Sequence, residues 1–198
     1  RRLKAAGVSR VHNNLETSEK HFPNICTTHT FADKVSAIQA AQRAGLTVCS
    51  GGIMGMGETM ADRIDMALSL RELGITSAPV NVLNPIPGTP FGEYPTLSEE
   101  EVLRILALYR FLLPAASIRM AGGRGLLPDG GKSCFLSGAN AAITGDMLTT
   151  AGITVQTDLQ MLTELGYEVK LDETTDDHWH RYGRRQNLRQ WADIEKTP

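Results

Sequence analysis

Four glycines fall within seven residues in Gly51-Gly52-Ile53-Met54-Gly55-Met56-Gly57, between the strand candidate Leu46–Cys49 and Thr59. Glycine tolerates φ > 0 and lets the backbone approach a flat or phosphate-sized ligand. A chain with this spacing leaves a strand, turns, and enters a helix that Thr59 can cap. That order belongs to α/β folds, whose sites gather at the C-terminal ends of parallel strands. Cys49 lies at the same point, so the segment reads as a ligand loop with a thiol, a potential soft metal ligand, at its base.

The strand–helix unit recurs about every 35 residues along the chain. Val8 to Asn14 is a strand candidate, followed by a polar loop. Thr30 and Asp33 then form a capping-box pair for a helix whose apolar stripe is Phe31, Val35, Ile38 and Ala41, and which Gly45 stops. A second helix runs from Thr59 to Leu73 and ends at Gly74. The third strand is Ala78 to Leu83. Its loop, Asn84-Pro85-Ile86-Pro87-Gly88-Thr89-Pro90, has too much proline for a helix or a central strand. Ser98 and Glu101 cap a helix reaching Leu113, and Pro114 closes it. The fourth strand is Ser117 to Met120. A glycine-weakened helix is expected near Gly131–Ala139, and a last one capped by Thr157 and Gln160, ending at Leu165.

Alternation of this kind predicts a parallel sheet. Four units fit either half of an eight-stranded α/β barrel or a small doubly wound domain, and periodicity does not choose between them. A half barrel carries an open edge on each side. The chain opens Arg1-Arg2-Leu3-Lys4-Ala5-Ala6-Gly7, the last turns of a helix, with no initiator Met, which predicts a fragment beginning in mid-domain. Residues 170–198 differ from the rest. They read as a charged, solvated tail that includes His178 and His180, with a short helix over Gln186–Ile194.

Composition narrows the function. A net charge of −2 gives no argument for nucleic acid or an anionic membrane surface. No apolar run reaches the roughly 18 residues of a membrane span. Three widely spaced cysteines, Cys26, Cys49 and Cys134, form neither a disulfide framework nor a zinc ribbon, and fit a reducing cytoplasm.

Asn14 and Glu16 stand at the end of the first strand. A carboxylate there can accept two ribose hydroxyls with an amide beside it; an Asx-turn and a surface Glu are the plain alternative. Asn81 sits late in an apolar strand, where it is either a core amide satisfied by backbone or a substrate contact. Arg119 in the fourth strand needs a partner, which a phosphate, a carboxylate or a metal cluster can each provide. Cys134 reads as a small buried hydrophobe and Cys26 as an accessible loop thiol.

With those residues placed, the sequence resembles the biotin synthases, a family of radical S-adenosylmethionine enzymes. The resemblance runs from Leu3 to about Leu165. It rests on Asn14-Leu15-Glu16-Thr17-Ser18, Val48-Cys49-Ser50-Gly51-Gly52-Ile53, Gly55-Met56-Gly57-Glu58-Thr59, Gly88-Thr89-Pro90, Ile118-Arg119-Met120, Cys134-Phe135-Leu136-Ser137-Gly138-Ala139-Asn140 and Leu148-Thr149-Thr150, in that order. It implies the C-terminal half of a radical barrel, a partial TIM-type (β/α) fold, over residues 1–169. It implies sulfur insertion into dethiobiotin. In that chemistry a 4Fe–4S cluster reduces S-adenosylmethionine to a hydrogen-abstracting radical, and an auxiliary iron–sulfur cluster, 2Fe–2S in type, donates the sulfur.

By the same resemblance Asn14 and Glu16 hold the S-adenosylmethionine ribose, Ile53 packs on adenine, Asn14 and Asn81 contact dethiobiotin, and Cys49 and Arg119 ligate the auxiliary cluster. A cytoplasmic homodimer and an electron donor such as flavodoxin or ferredoxin are implied as well. The radical motif C-x₃-C-x₂-C is absent from the chain, so those ligands are expected upstream of Arg1. Glu16 replaces a more usual Asp. Cys26 replaces an apolar residue, which leaves room for a variant auxiliary cluster. A maturase-type radical enzyme and a catalytically incomplete remnant that binds a nucleoside or a partner chain are the competing readings.

Overall fold

Helix starts are encoded locally. In the computed structural model, which describes residues 1–145, 152–171 and 191–196, three helices open on full capping boxes: Thr30 with Asp33, Thr59 with Asp62, and Ser98 with Glu101. The elements in chain order are α1 (Arg2–Ala5), β1 (Arg10–His12), α2 (Phe22–Ile25), α3 (Phe31–Arg43), β2 (Thr47–Cys49), β3 (Gly52–Met54), α4 (Met60–Glu72), β4 (Ser77–Val82), α5 (Glu99–Leu112), β5 (Ser117–Met120), α6 (Lys132–Leu136), β6 (Ala141–Ile143), α7 (Val155–Glu164), β7 (Tyr167–Leu171) and β8 (Trp191–Lys196). Leu148-Thr149-Thr150, His178 and His180 lie outside the described residues.

Strands β1, β2, β4, β5 and β6 pair in parallel and in chain order, and β3 continues the line of β2 alongside β4. A doubly wound sheet must reverse its strand order at a switch point; this one never does, so the half-barrel reading holds. Beyond β6 the sheet continues antiparallel through β8 to β7.

One face of the parallel strands carries the core. Val48, Ala78, Val80, Val82, Ile118 and Met120 point there and join Ile38, Met66, Leu70, Ile105 and Leu106 from the helices. Strand side chains alternate between faces, so Cys49, Ser77, Asn81 and Arg119 lie on the opposite one. Tyr109 on α5 donates its hydroxyl to the Arg63 carbonyl of α4 at 3.2 Å, locking those helices side by side.

Several expectations shift in detail. Part of the glycine segment is strand β3 rather than loop. Helix α6 spans five residues, shorter than expected. The cap of α7 is Thr154, itself extended, whose hydroxyl accepts from the Thr157 amide, so Thr157 lies three residues inside. Strand β6 was not anticipated, since Ala141-Ala142-Ile143 is short and poor in β-branched residues. The short helix expected over Gln186–Ile194 is corrected over 191–194, which form part of β8 and pair with both β6 and β7.

Strand β1 pairs only with β2 among the described residues, so its outer edge is free. An unpaired edge of a parallel sheet recruits another chain. The 198-residue polypeptide by itself is therefore expected to self-associate at micromolar concentration. Static light scattering checks this, and a monomer mass would mean that the edge is covered.

Candidate functional site

From β2 to β3 the register against β4 runs unbroken through Ser50-Gly51, from Cys49 opposite Ser77 to Gly52 opposite Val80, and glycine is required there by neighbours within the protein. A Cβ on Gly51 would lie 1.9 Å from the Pro79 carbonyl oxygen, and one on Gly52 would lie 2.3 Å from the Glu16 carbonyl oxygen. These two glycines serve close backbone approach between strand ends. Gly55 and Gly57 instead supply the φ > 0 that the sequence suggested, at +102° and +89°.

Residue 16 is drawn against this segment, bridging Gly52. The Glu16 amide donates to the Gly51 carbonyl at 3.1 Å, and the Ile53 amide donates to the Glu16 carbonyl at 3.0 Å. The fit holds Glu16 at φ +72°, the one non-glycine with positive φ among the described residues. Asn14 accepts the Gly51 amide on Oδ1 at 3.0 Å and offers Nδ2 to Glu16 Oε2 at 3.4 Å. Burial pushes the Glu16 carboxyl above its ordinary range, against the pull of Lys34 and Asn14. A part-buried carboxyl beside an amide donor is suited to accept hydroxyls. The Asx-turn alternative for Asn14 is replaced by a long-range contact.

Register aligns a second group. His12, Cys49, Ser77 and Ser117 are successive partners across β1, β2, β4 and β5, so they form one row on the face away from the core. Ser77 donates its hydroxyl to the Cys49 sulfur at 3.3 Å. Cys49 is buried, and Arg119 is only 2% exposed. Arg119 lies one row further along, opposite Pro79 and Ala141. Burial and the Lys34 charge lower the His12 imidazole below its ordinary value. Ile53 and Asn81 pair with each other in the next row. Asn81 spends its amide on backbone: Nδ2 donates to the Gly52 carbonyl at 3.1 Å and Oδ1 accepts the Gly122 amide at 2.9 Å. One N–H and one lone pair are left for other contacts.

Sequence reasoning missed the groups that hold this site in shape. Glu58 accepts the Gly55 and Met56 amides at 2.8 and 2.7 Å and pairs with Arg63 at 2.7 Å, both side chains being buried. Asp62 accepts from Thr59 and from Ser18 Oγ at 2.7 Å, and these bonds bring it down to about 2. Arg124, just after β5, grips both carboxylate oxygens of Asp158 on α7 at 2.6 and 2.8 Å. No spacing signals the first of these, because Glu58 precedes the N-cap Thr59 and lies five residues before Arg63 rather than the three or four that make helical neighbours.

The other two thiols diverge, as expected. Burial pushes Cys134 up to about 12, which suits an inert core residue. Cys26 closes α2 beside Thr28 and His29, and the Thr28 hydroxyl holds its thiol below the ordinary range. No group of three or more His, Cys, Asp or Glu among the described residues could hold a metal ion by itself. Likewise, no helix among them is long and apolar enough to cross a membrane.

Comparison with known proteins divides the chain in two. Residues 1–70 match the Radical SAM superfamily, and residues 79–168 match the Biotin and Thiamin Synthesis associated domain. The biotin synthase of Brachyspira hyodysenteriae is 65% identical over 172 residues, which is 87% of this chain and 52% of that protein. That of Akkermansia muciniphila is 63% identical over 169 residues, 85% of this chain and 53% of that protein. The chain thus spans about half the length of the curated relatives it matches. Among solved structures, methylornithine synthase superposes with a TM-score of 0.68 at 19% identity, over 82% of this chain and 52% of that one. The FeFe-hydrogenase maturase from Carboxydothermus hydrogenoformans gives 0.65 at 18%, over 83% and 43%. At these identities the structural likeness speaks to fold alone, and the fold is a partial α/β barrel.

Proposed function

This chain is a homologue of the biotin synthases along most of its own length, and from that premise we propose that it is the C-terminal part of an enzyme that inserts sulfur into dethiobiotin. The observation that carries the reading is positional. Cys49, Ile53, Asn81 and Arg119 share one face of adjacent parallel strands, with Asn14 and Glu16 just beyond β1 on the same rim. That rim is where barrels of this type do their chemistry.

The residues fit the groups the family uses. Glu16 and Asn14 would hold the S-adenosylmethionine ribose, with Ile53 against adenine. Asn14 and the free half of the Asn81 amide would meet the substrate. Cys49 is a buried thiol already oriented by Ser77, and with Arg119 it would ligate the auxiliary iron–sulfur cluster. When bound, S-adenosylmethionine and the two clusters supply the hydrogen abstraction and the sulfur. The protein's part is to fix their spacing, bury the thiol and exclude water. The radical-cluster motif is not in these 198 residues, so its ligands would come from outside them. Residues 1–169 are assigned to this barrel portion and 170–198 to a charged appendage. A cytoplasmic homodimer served by a flavodoxin or ferredoxin completes the proposal.

A maturase-type radical enzyme is the second reading; the joint presence of Cys49, Asn81 and Arg119 favours the first. The chain joined in frame behind the N-terminal half of the Brachyspira hyodysenteriae relative, and reconstituted anaerobically with iron and sulfide, should convert dethiobiotin to biotin. Release of 5′-deoxyadenosine with no biotin would favour another radical enzyme. Binding of S-adenosylmethionine with neither product would favour the binding-only remnant.

A further inference from the structure

We infer that Asn81 is a positioning residue that sets the distance between the nucleoside side and the sulfur-donor side of the site. The inference rests on the assignment of those two sides made above. Asn81 lies on β4, between β3 and the turn that follows β5. Its amide bonds outward in both directions: Nδ2 to the Gly52 carbonyl at 3.1 Å, Oδ1 from the Gly122 amide at 2.9 Å. Gly52 belongs to the segment that is stitched to Glu16 and precedes Ile53. Gly122 lies three residues after Arg119, in the turn that leaves β5. One side chain therefore ties both halves of the proposed site.

The surrounding backbone is built to allow this. The Val82 amide donates to the Gly122 carbonyl at 2.8 Å and the Ala121 amide to the Val80 carbonyl at 3.1 Å, so the turn folds back on the end of β4. Gly123 sits at φ +81°, and a Cβ there would lie 2.1 Å from the Val82 carbonyl oxygen. A Cβ on Gly122 would press to 3.1 Å from Asn81 Oδ1, so a side chain at 122 would crowd the amide. The clasp needs one donor and one acceptor at opposite ends of a short planar group. Asn supplies both. Asp keeps the acceptor toward Gly122 but sets a carboxylate oxygen against the Gly52 carbonyl.

Amide hydrogen exchange by NMR on the 198-residue chain tests this without any ligand. In Asn81→Ala the Gly122 amide should exchange about tenfold faster than in the wild type. In Asn81→Asp it should stay protected while the Gly52 carbonyl carbon shifts. Unchanged Gly122 exchange in Asn81→Ala, or equal loss of protection in both variants, would overturn the clasp. Should Asn81→Ala fail to fold, Asn81→Asp decides: a moved Gly52 carbonyl resonance supports the clasp and an unmoved one removes it. Titration of the wild-type chain with S-adenosylmethionine reports separately on the nucleoside assignment, so either idea can fall while the other stands. In the joined enzyme, Asn81→Asp should also raise the 5′-deoxyadenosine released per biotin formed. A merely structural change would lower both products together.

Discussion

Replacement of Glu58 by alanine is expected to cost about 3–5 kcal/mol of folding stability, the range for removing one partner of a buried ion pair. Three donors converge on this carboxylate: the Gly55 and Met56 amides and the Arg63 guanidinium. Both side chains are almost fully enclosed, at 2% exposure for Glu58 and 7% for Arg63. Alanine would leave a guanidinium without its counter-charge and two amides without an acceptor, in a place water does not reach. The loss comes from desolvated groups left behind, and the double variant Glu58→Met, Arg63→Met should recover much of it. Urea unfolding followed by far-ultraviolet circular dichroism gives the numbers. A cost under about 1 kcal/mol for the single variant, the size of an exposed pair, would show that the pair is not buried in solution.

The second large effect is chemical. In the joined, reconstituted enzyme, Cys49→Ala should abolish biotin formation while S-adenosylmethionine cleavage to 5′-deoxyadenosine persists. Cys49 lies in the row with Ser77 and one row below Arg119, whereas the residues assigned to the nucleoside, Glu16 and Ile53, sit where the continuation of β1 bonds to β3. Removing the thiol therefore strikes the sulfur-donor side and spares the other. Chromatographic quantification of both products in one reaction separates the outcomes. Undiminished biotin would take Cys49 out of the mechanism, and loss of both products would mean that the two sides are not separable.

The residues proposed for the site could be named one by one as candidates. Asn14, Glu16, Cys49 and Arg119 could be picked out because polar or charged residues at the ends of apolar strands are costly unless they serve something. The support beneath them was not legible. Nothing in the sequence marked Glu58 or Asp62 as supports, and only the packed structure shows that one holds the Gly55-Met56 turn and the other reaches Ser18, far back in the chain. The two glycines at 51 and 52 were read as room for a ligand. Their neighbours prove to be the Pro79 and Glu16 backbones, which no local pattern can reveal. Asn81 was left between two roles, and its contacts with Gly52 and Gly122 give it a backbone role in the fold while keeping half its amide open.

The sequence by itself determined the capping boxes that start α3, α4 and α5 and the parallel α/β class, and it supplied the candidate side chains for the proposed site. Those depend on neighbours within a turn or two: a Thr and an Asp three apart make their capping box wherever they are. Tertiary structure alone decided three other matters. It chose a half barrel over a doubly wound sheet, because strand order is a property of pairing between distant segments. It set the rows that bring Cys49 to Ser77 and Ile53 to Asn81, because register follows from how whole strands pack against the helix layer. It formed β8 between β6 and β7, because an edge left open by one segment is satisfied by whichever strand can reach it, and that competition is invisible along the chain.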